Sequence, residues 1–132
     1  MKESTVSWVE FAKRDLQGAR ELLKNEYLAN LVMFHSQQCI EKIFKAVLEE
    51  HSIHIPKIHN LKKIYGLFPD KVLKKIHIEQ DKLDIIDQIY IDSRYPADFG
   101  LLPSGIPTQK EAEQIYNIAE NISGQILKLM EG

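Results

Sequence analysis

The sequence predicts an all-α protein, an up-and-down four- to five-helix bundle forming one domain over residues 1–132. Two observations carry this expectation. Apolar residues recur at helical spacing through four long stretches, and glycine and proline gather mostly between those stretches. No stretch alternates apolar and polar residues as a half-buried strand would.

The first helix is expected from Ser4 to Lys24, which contains no proline and only Gly18 as a possible breaker. At 100° per residue Trp8, Val9, Phe11, Ala12, Leu16, Ala19, Leu22 and Leu23 fall on the inner side. Ser7 and Glu10 have the spacing of a capping box, and Ser4 offers a start one turn earlier. A second helix follows from Tyr27 to Glu50, with a wide apolar arc of Leu28, Val32, Met33, Cys39, Ile40, Ile43, Phe44, Ala46 and Val47. An arc of that width implies burial on two sides, against the core and against a further element or a second subunit. Gln38, Glu41, Lys42, Lys45 and Glu49 form the remaining stripe, which reads as a solvated face with a favourable Glu41–Lys45 pair.

Residues 51–58 read as a loop, because Pro56 disfavours helix at Ile55. Short helices are expected at 60–67 and 69–76, then a longer one from Glu79 to Asp92 with Asp84, Asp87 and Gln88 outward. Ser93 to Pro107 carries five glycines and prolines and reads as a long loop, of the kind that often serves function or an interface. Thr108, with Glu111 three residues on, caps the last helix, whose stripe is Ala112, Ile115, Ile118, Ala119, Ile122, Ile126 and Leu129.

Composition narrows the function. A formal charge of −2 from 17 basic and 19 acidic residues lacks the excess of a duplex-coating protein, yet permits a small nucleotide or RNA site. The single cysteine, Cys39, excludes an intramolecular disulfide. No apolar run approaches the roughly 18 residues of a membrane span, and the N-terminus lacks a signal-peptide core, so a cytoplasmic location is expected. No cofactor or metal is expected either: His35 and Cys39 are too few as ligands, and His51, His54 and His59 lack a carboxylate or cysteine at suitable spacing.

Some residues invite chemistry. Asp15 lies in the apolar arc of the first helix, where a charge needs a partner; Lys42, His35, His59 and Arg94 are the candidates. The plain reading is a structural ion pair, and the other is a carboxylate orienting a base toward a ligand. Asp92-Ser93-Arg94-Tyr95-Pro96 puts an arginine suited to phosphate and a tyrosine suited to stacking at a helix end, where they could equally close the helix and fill the core.

Four stretches together resemble the HEPN family. They are Trp8 with Ala12, Asp15-Leu16 and Ala19; Gln37-Gln38-Cys39-Ile40-Glu41-Lys42 followed by Lys45-Ala46; His59-Asn60-Leu61; and Ser93-Arg94-Tyr95-Pro96 followed by Ala112 and Ala119. The resemblance implies a four- to five-helix bundle that pairs as a homodimer and acts beside a separate minimal nucleotidyltransferase in a toxin–antitoxin-like pair. It also implies a nucleotide or RNA ligand, contacted here by Lys42, His59, Arg94 and Tyr95 with Asp15, Gln38 and Glu41 in support. Many members of the family are metal-independent RNases with an Arg-x(4–6)-His motif. Here Arg94 is followed five to seven residues later by Phe99, Gly100 and Leu101, and no histidine follows it at all. No catalytic residue is therefore assigned. The alternatives are an RNase with a rearranged His59–Arg94 site and a non-catalytic helical interaction module.

Overall fold

A computed structural model of the chain describes residues 1–94 and 107–132, with the side chains of 92–94 left aside. It contains α1 (Glu3–Leu22), a 3-10 turn (Glu26–Leu28), α2 (Ala29–Glu50), α3 (Leu61–Tyr65), α4 (Asp70–Leu73), α5 (Gln80–Arg94) and α6 (Gln109–Glu131). There is no strand among the described residues, and no described helix is long and apolar enough to cross a membrane.

The four long helices run up and down. Glu50 at the end of α2 meets Lys2 and Thr5 at the start of α1, so these two helices are antiparallel. Tyr90 of α5 stacks on Phe34 near the start of α2, while Asp87 bonds Leu61 beyond the end of α2; α5 therefore runs back along α2. The start of α6 touches the end of α1 through Gln109 and Leu23, and its end reaches Lys13 through Glu131. Between α2 and α5 the chain makes an excursion carrying α3 and α4.

α2 is the axis of the fold. It packs against α1, α3, α5 and α6, and Val32, Cys39, Ile40, Ile43, Phe44, Ala46 and Leu48 are all fully buried. The wide apolar arc is thus consumed within one chain. Ala12, Ala19, Ala112 and Ala119 at 0% exposure bring α1 and α6 close to this axis, since small side chains let helices approach. Phe44, Tyr65 and Phe68 form a mutually packed aromatic group that fastens the excursion to α2.

Side chains from distant elements complete the helix ends. α1 begins at Glu3, so Ser7 lies inside it and bonds the Glu3 carbonyl rather than forming the expected capping box with Glu10. Glu50 takes the capping role from outside, accepting the Lys2 N–H at 2.9 Å and the Thr5 hydroxyl at 3.0 Å. Asp87, expected on the outer side of α5, is 7% exposed and accepts the Leu61 and Lys62 N–H groups at 2.8 and 3.3 Å. Asn60 accepts from the Lys63 N–H, so the free N–H groups that open α3 are satisfied. The Thr108–Glu111 capping box at α6 is present as expected. Ser93 and Arg94 belong to α5 rather than to the loop after it; residues 95–106 lie outside the described residues.

Replacing Asp87 by alanine leaves the buried Leu61 N–H and the partly buried Lys62 N–H without their acceptor. A loss of about 1–3 kcal/mol is expected in a urea titration, and an unchanged midpoint would refute the capping role. The bonds from the Lys2 N–H and Thr5 hydroxyl hold the Glu50 carboxyl below its ordinary value of 4.5. Its contribution to stability is therefore complete above that ordinary value and disappears as pH falls through the lowered one. Melting temperatures measured from neutral to acid pH should show this acid-side loss in the wild type, and a smaller one in Glu50→Gln.

Candidate functional site

Asp15 finds two of its four candidate partners. Its carboxylate lies 2.9 Å from His35 Nδ1 and 2.5 Å from Lys42 Nζ, with 11% of its side chain exposed. His59 pairs instead with Glu41. Antiparallel α1 and α2 put Asp15 beside the turn of α2 that presents His35, and Lys42 reaches it two turns further along.

The stripe on α2 that reads as solvated is not so. Glu41 and Lys45 are 5% and 6% exposed. Glu41 Oε2 accepts from Lys45 Nζ at 3.0 Å, while Oε1 is shared by His59 Nδ1 at 3.0 Å and Gln37 Nε2 at 3.3 Å. Gln37 also donates to the His59 carbonyl and accepts from Gln38, so the buried carboxylate is met by three oriented donors. α1 lies over this side of α2 and covers it: Trp8 has its ring 5.9 Å from Lys45 Nζ.

An aromatic bridge joins the two carboxylate groups. His35 meets Phe34 edge-on at 5.3 Å, Phe34 stacks on Tyr90 at 5.9 Å, and Tyr90 lies 5.5 Å from His59. Phe11, expected on the inner side of α1, is instead 51% exposed, with Arg14 and Lys42 over its ring. The assembled face therefore has two partly exposed imidazoles, each with Nδ1 turned to a carboxylate. Lys42, Gln38 and accessible aromatic surface accompany them. A face of this kind can donate hydrogen bonds to an anion and stack against a planar ring.

Of the residues expected at a site, Asp15, Gln38, Glu41, Lys42 and His59 are brought together. Arg94 is the last residue of α5, four positions beyond Tyr90 and hence about one turn along the helix; Tyr95 lies outside the described residues. His35, Gln37, Lys45, Phe34 and Tyr90 also belong to the face. The helical spacing of 31, 35, 38 and 42 could have flagged His35, but the register of Tyr90 against Phe34 has no signal in the sequence. Cys39, one turn beyond His35, is buried in the core, where burial pushes its thiol up to about 12 and leaves it protonated. No group of three or more metal-ligating side chains exists among the described residues.

These features define a class of protein, a helical-bundle domain in which a histidine of the central helix and one from the loop before α3 are each oriented by a carboxylate beside stacked aromatics. Comparison with known proteins gives the class its name. The HEPN domain model matches residues 5–129. The chain is 31% identical over 128 residues to the putative toxin MJ1304 of Methanocaldococcus jannaschii, covering 87% of this chain and 80% of that protein. The crystal structure of ST0689, an archaeal HEPN homologue, superposes with a TM-score of 0.71 at 27% identity, covering 98% of each chain. TT1696 from Thermus thermophilus shares the fold with a TM-score of 0.78 at 21% identity, over 96% of this chain and 98% of that one. The chain belongs to the HEPN family.

The two carboxylates should respond differently to truncation. Glu41→Ala strands the buried Lys45 ammonium and is expected to cost about 3–5 kcal/mol in chemical denaturation. Asp15→Ala should cost clearly less, because Lys42 and His35 are partly exposed and can turn to water. Equal losses would contradict this ranking.

Proposed function

We propose that this chain is a toxin-like HEPN protein that works as a homodimer, binds a nucleotide or RNA, and acts with a separate minimal nucleotidyltransferase. The observation that carries the reading is the joining of Lys42, His59 and His35 to the Phe34–Tyr90 stack on one face. Lys42 and His59 are assigned to phosphate, with Arg94 at the end of α5 supplying the further positive charge. The charges of Asp15, Glu41, Lys42 and Lys45 balance one another, so an incoming phosphate needs that additional cation. Tyr95 is assigned to stacking. Asp15, Gln38 and Glu41 act through the donors they hold.

Membership of the family supports this reading, as does the naming of the Methanocaldococcus jannaschii relative as a putative toxin. Support for pairing with a nucleotidyltransferase comes from the family resemblance. The Arg-x(4–6)-His spacing is absent, which favours binding over RNA cleavage. The second reading, an RNase with a rearranged site, draws on the Glu41–His59 pair: a buried carboxylate that orients an exposed imidazole is one way to prepare a general base.

Isothermal titration with ATP, GTP and a short single-stranded RNA tests the proposal. Binding is expected with at least one of them, weakened roughly tenfold, or about 1.4 kcal/mol, by Lys42→Ala or Arg94→Ala. No heat with any ligand, together with no association with a nucleotidyltransferase encoded next to the gene, would overturn it. Metal-free cleavage of the RNA that vanishes in both His59→Ala and Arg94→Ala would establish the RNase reading instead.

A further inference from the structure

Charge is unevenly distributed along this chain. Residues 51–78, the excursion that carries α3 and α4, hold six lysines and a single acidic residue, Asp70. With 17 basic and 19 acidic residues in all, the remainder is distinctly acidic.

The excursion is one layer thick and its two sides differ in kind. Leu61, Ile64, Phe68, Val72, Ile76 and Ile78 join the core, while Lys57, Lys62, Lys63, Lys71, Lys74 and Lys75 are exposed. Lys62 is paired with Asp84 at 3.2 Å. Among the described residues the other five have no carboxylate within 4.0 Å, whereas Lys13, Arg20, Lys24, Lys42, Lys45 and Lys82 each have one. The Lys2 ammonium is held by the Glu49 carbonyl and the Ser52 hydroxyl. The remaining cations without a carboxylate, Arg14, Lys110 and Lys128, are dispersed over α1 and the two ends of α6. Lys71 and Lys75 share a pocket rim with His51. Glu50 lines that pocket too, but its carboxylate is engaged by Lys2 and Thr5.

The fold does not account for this concentration. Lysines near the ends of α3 and α4 gain a helix-dipole term of about 0.3–1 kcal/mol at most, and helices of 5 and 4 residues offer little dipole. Unpaired like charges on one compact layer repel, which works against folding. An external polyanion is what they suit.

We propose that the outer side of the α3–α4 excursion binds the phosphate backbone of a nucleic acid. Lysine is depleted at protein interfaces, which rely on apolar and aromatic anchors. The only large hydrophobic residue of this layer with substantial exposure is Leu67, at 44%. A lysine-rich surface almost without anchors matches backbone contacts, which are insensitive to base sequence and sensitive to salt. The inference stands whether or not the α1–α2–α5 face binds a ligand.

Fluorescence anisotropy of the full chain tests it, using a fluorescein-labelled uridine RNA of about 20 nucleotides over roughly 50–200 mM salt. Five lysines on a single strand predict a log–log salt slope of about −3.5. Changing Lys57, Lys63, Lys71, Lys74 and Lys75 together to glutamine should weaken binding at least about tenfold and flatten the slope toward zero. A control carrying Lys13→Gln, Lys110→Gln and Lys128→Gln should bind as the wild type does. Thermal melting checks that the variants fold. If the fivefold variant does not, the pairs Lys57→Gln/Lys63→Gln and Lys71→Gln/Lys75→Gln must each reduce the slope by about 1.4. A DNA of matching sequence should bind within a few-fold of the RNA. The proposal is overturned if the folded variants bind like the wild type, if neither nucleic acid binds at low salt, or if polyglutamate binds while both nucleic acids fail, which would assign the layer to an acidic protein.

Discussion

Glu41 sits at the middle of α2 with almost no access to water, and a buried carboxylate is tolerable only when its oxygens are fully engaged. Its partners come from three places: Gln37 one turn back, Lys45 one turn on, and His59 from the loop before α3. That single constraint ties the excursion to the central helix, since His59 must stay at Glu41 while its own carbonyl is held by Gln37. Asp87 then anchors Leu61 and Lys62, at the opening of α3, to α5. The polar interior therefore determines where α3 begins, and the apolar residues of α3 and α4 complete the cover.

The same arrangement produces the candidate site. A carboxylate holds Nδ1 of a partly exposed imidazole twice on one face, at Asp15–His35 and Glu41–His59. The Phe34–Tyr90 stack lies between them and links α2 to α5. Stability and function are hard to separate here, because the groups that neutralise buried charge are also those that aim the exposed donors. The family's usual arginine–histidine spacing is missing, so any chemistry on this face would have to use histidines delivered by other elements.

The balanced charges of this face contrast with the lysine-rich excursion beside it. On the face Lys42 and Lys45 each have a carboxylate partner, which gives fixed geometry with little long-range field. On the outer side of α3 and α4 only Lys62 has one and five cations have none, which gives a field with little geometry. Short-range recognition suits the first and salt-sensitive attraction suits the second.

Helix periodicity, the proline and glycine breaks and the Thr108–Glu111 box were sufficient to place the four long helices and their antiparallel order. These are properties of neighbouring residues, repeated each turn, and they survive without knowledge of what packs where. Asp15 also declared itself, as a charge within an apolar arc that needed a partner. The identity of that partner, the burial of Glu41 and Lys45, the capping of α3 by Asp87 and the outward turn of Phe11 were decided only in the folded chain. Each depends on an element distant in the sequence, as with Glu41 and His59 or Asp15 and Lys42, or on the lateral placement of a neighbouring helix. A polar stripe looks the same whether water or another helix covers it, and only tertiary packing chooses between the two.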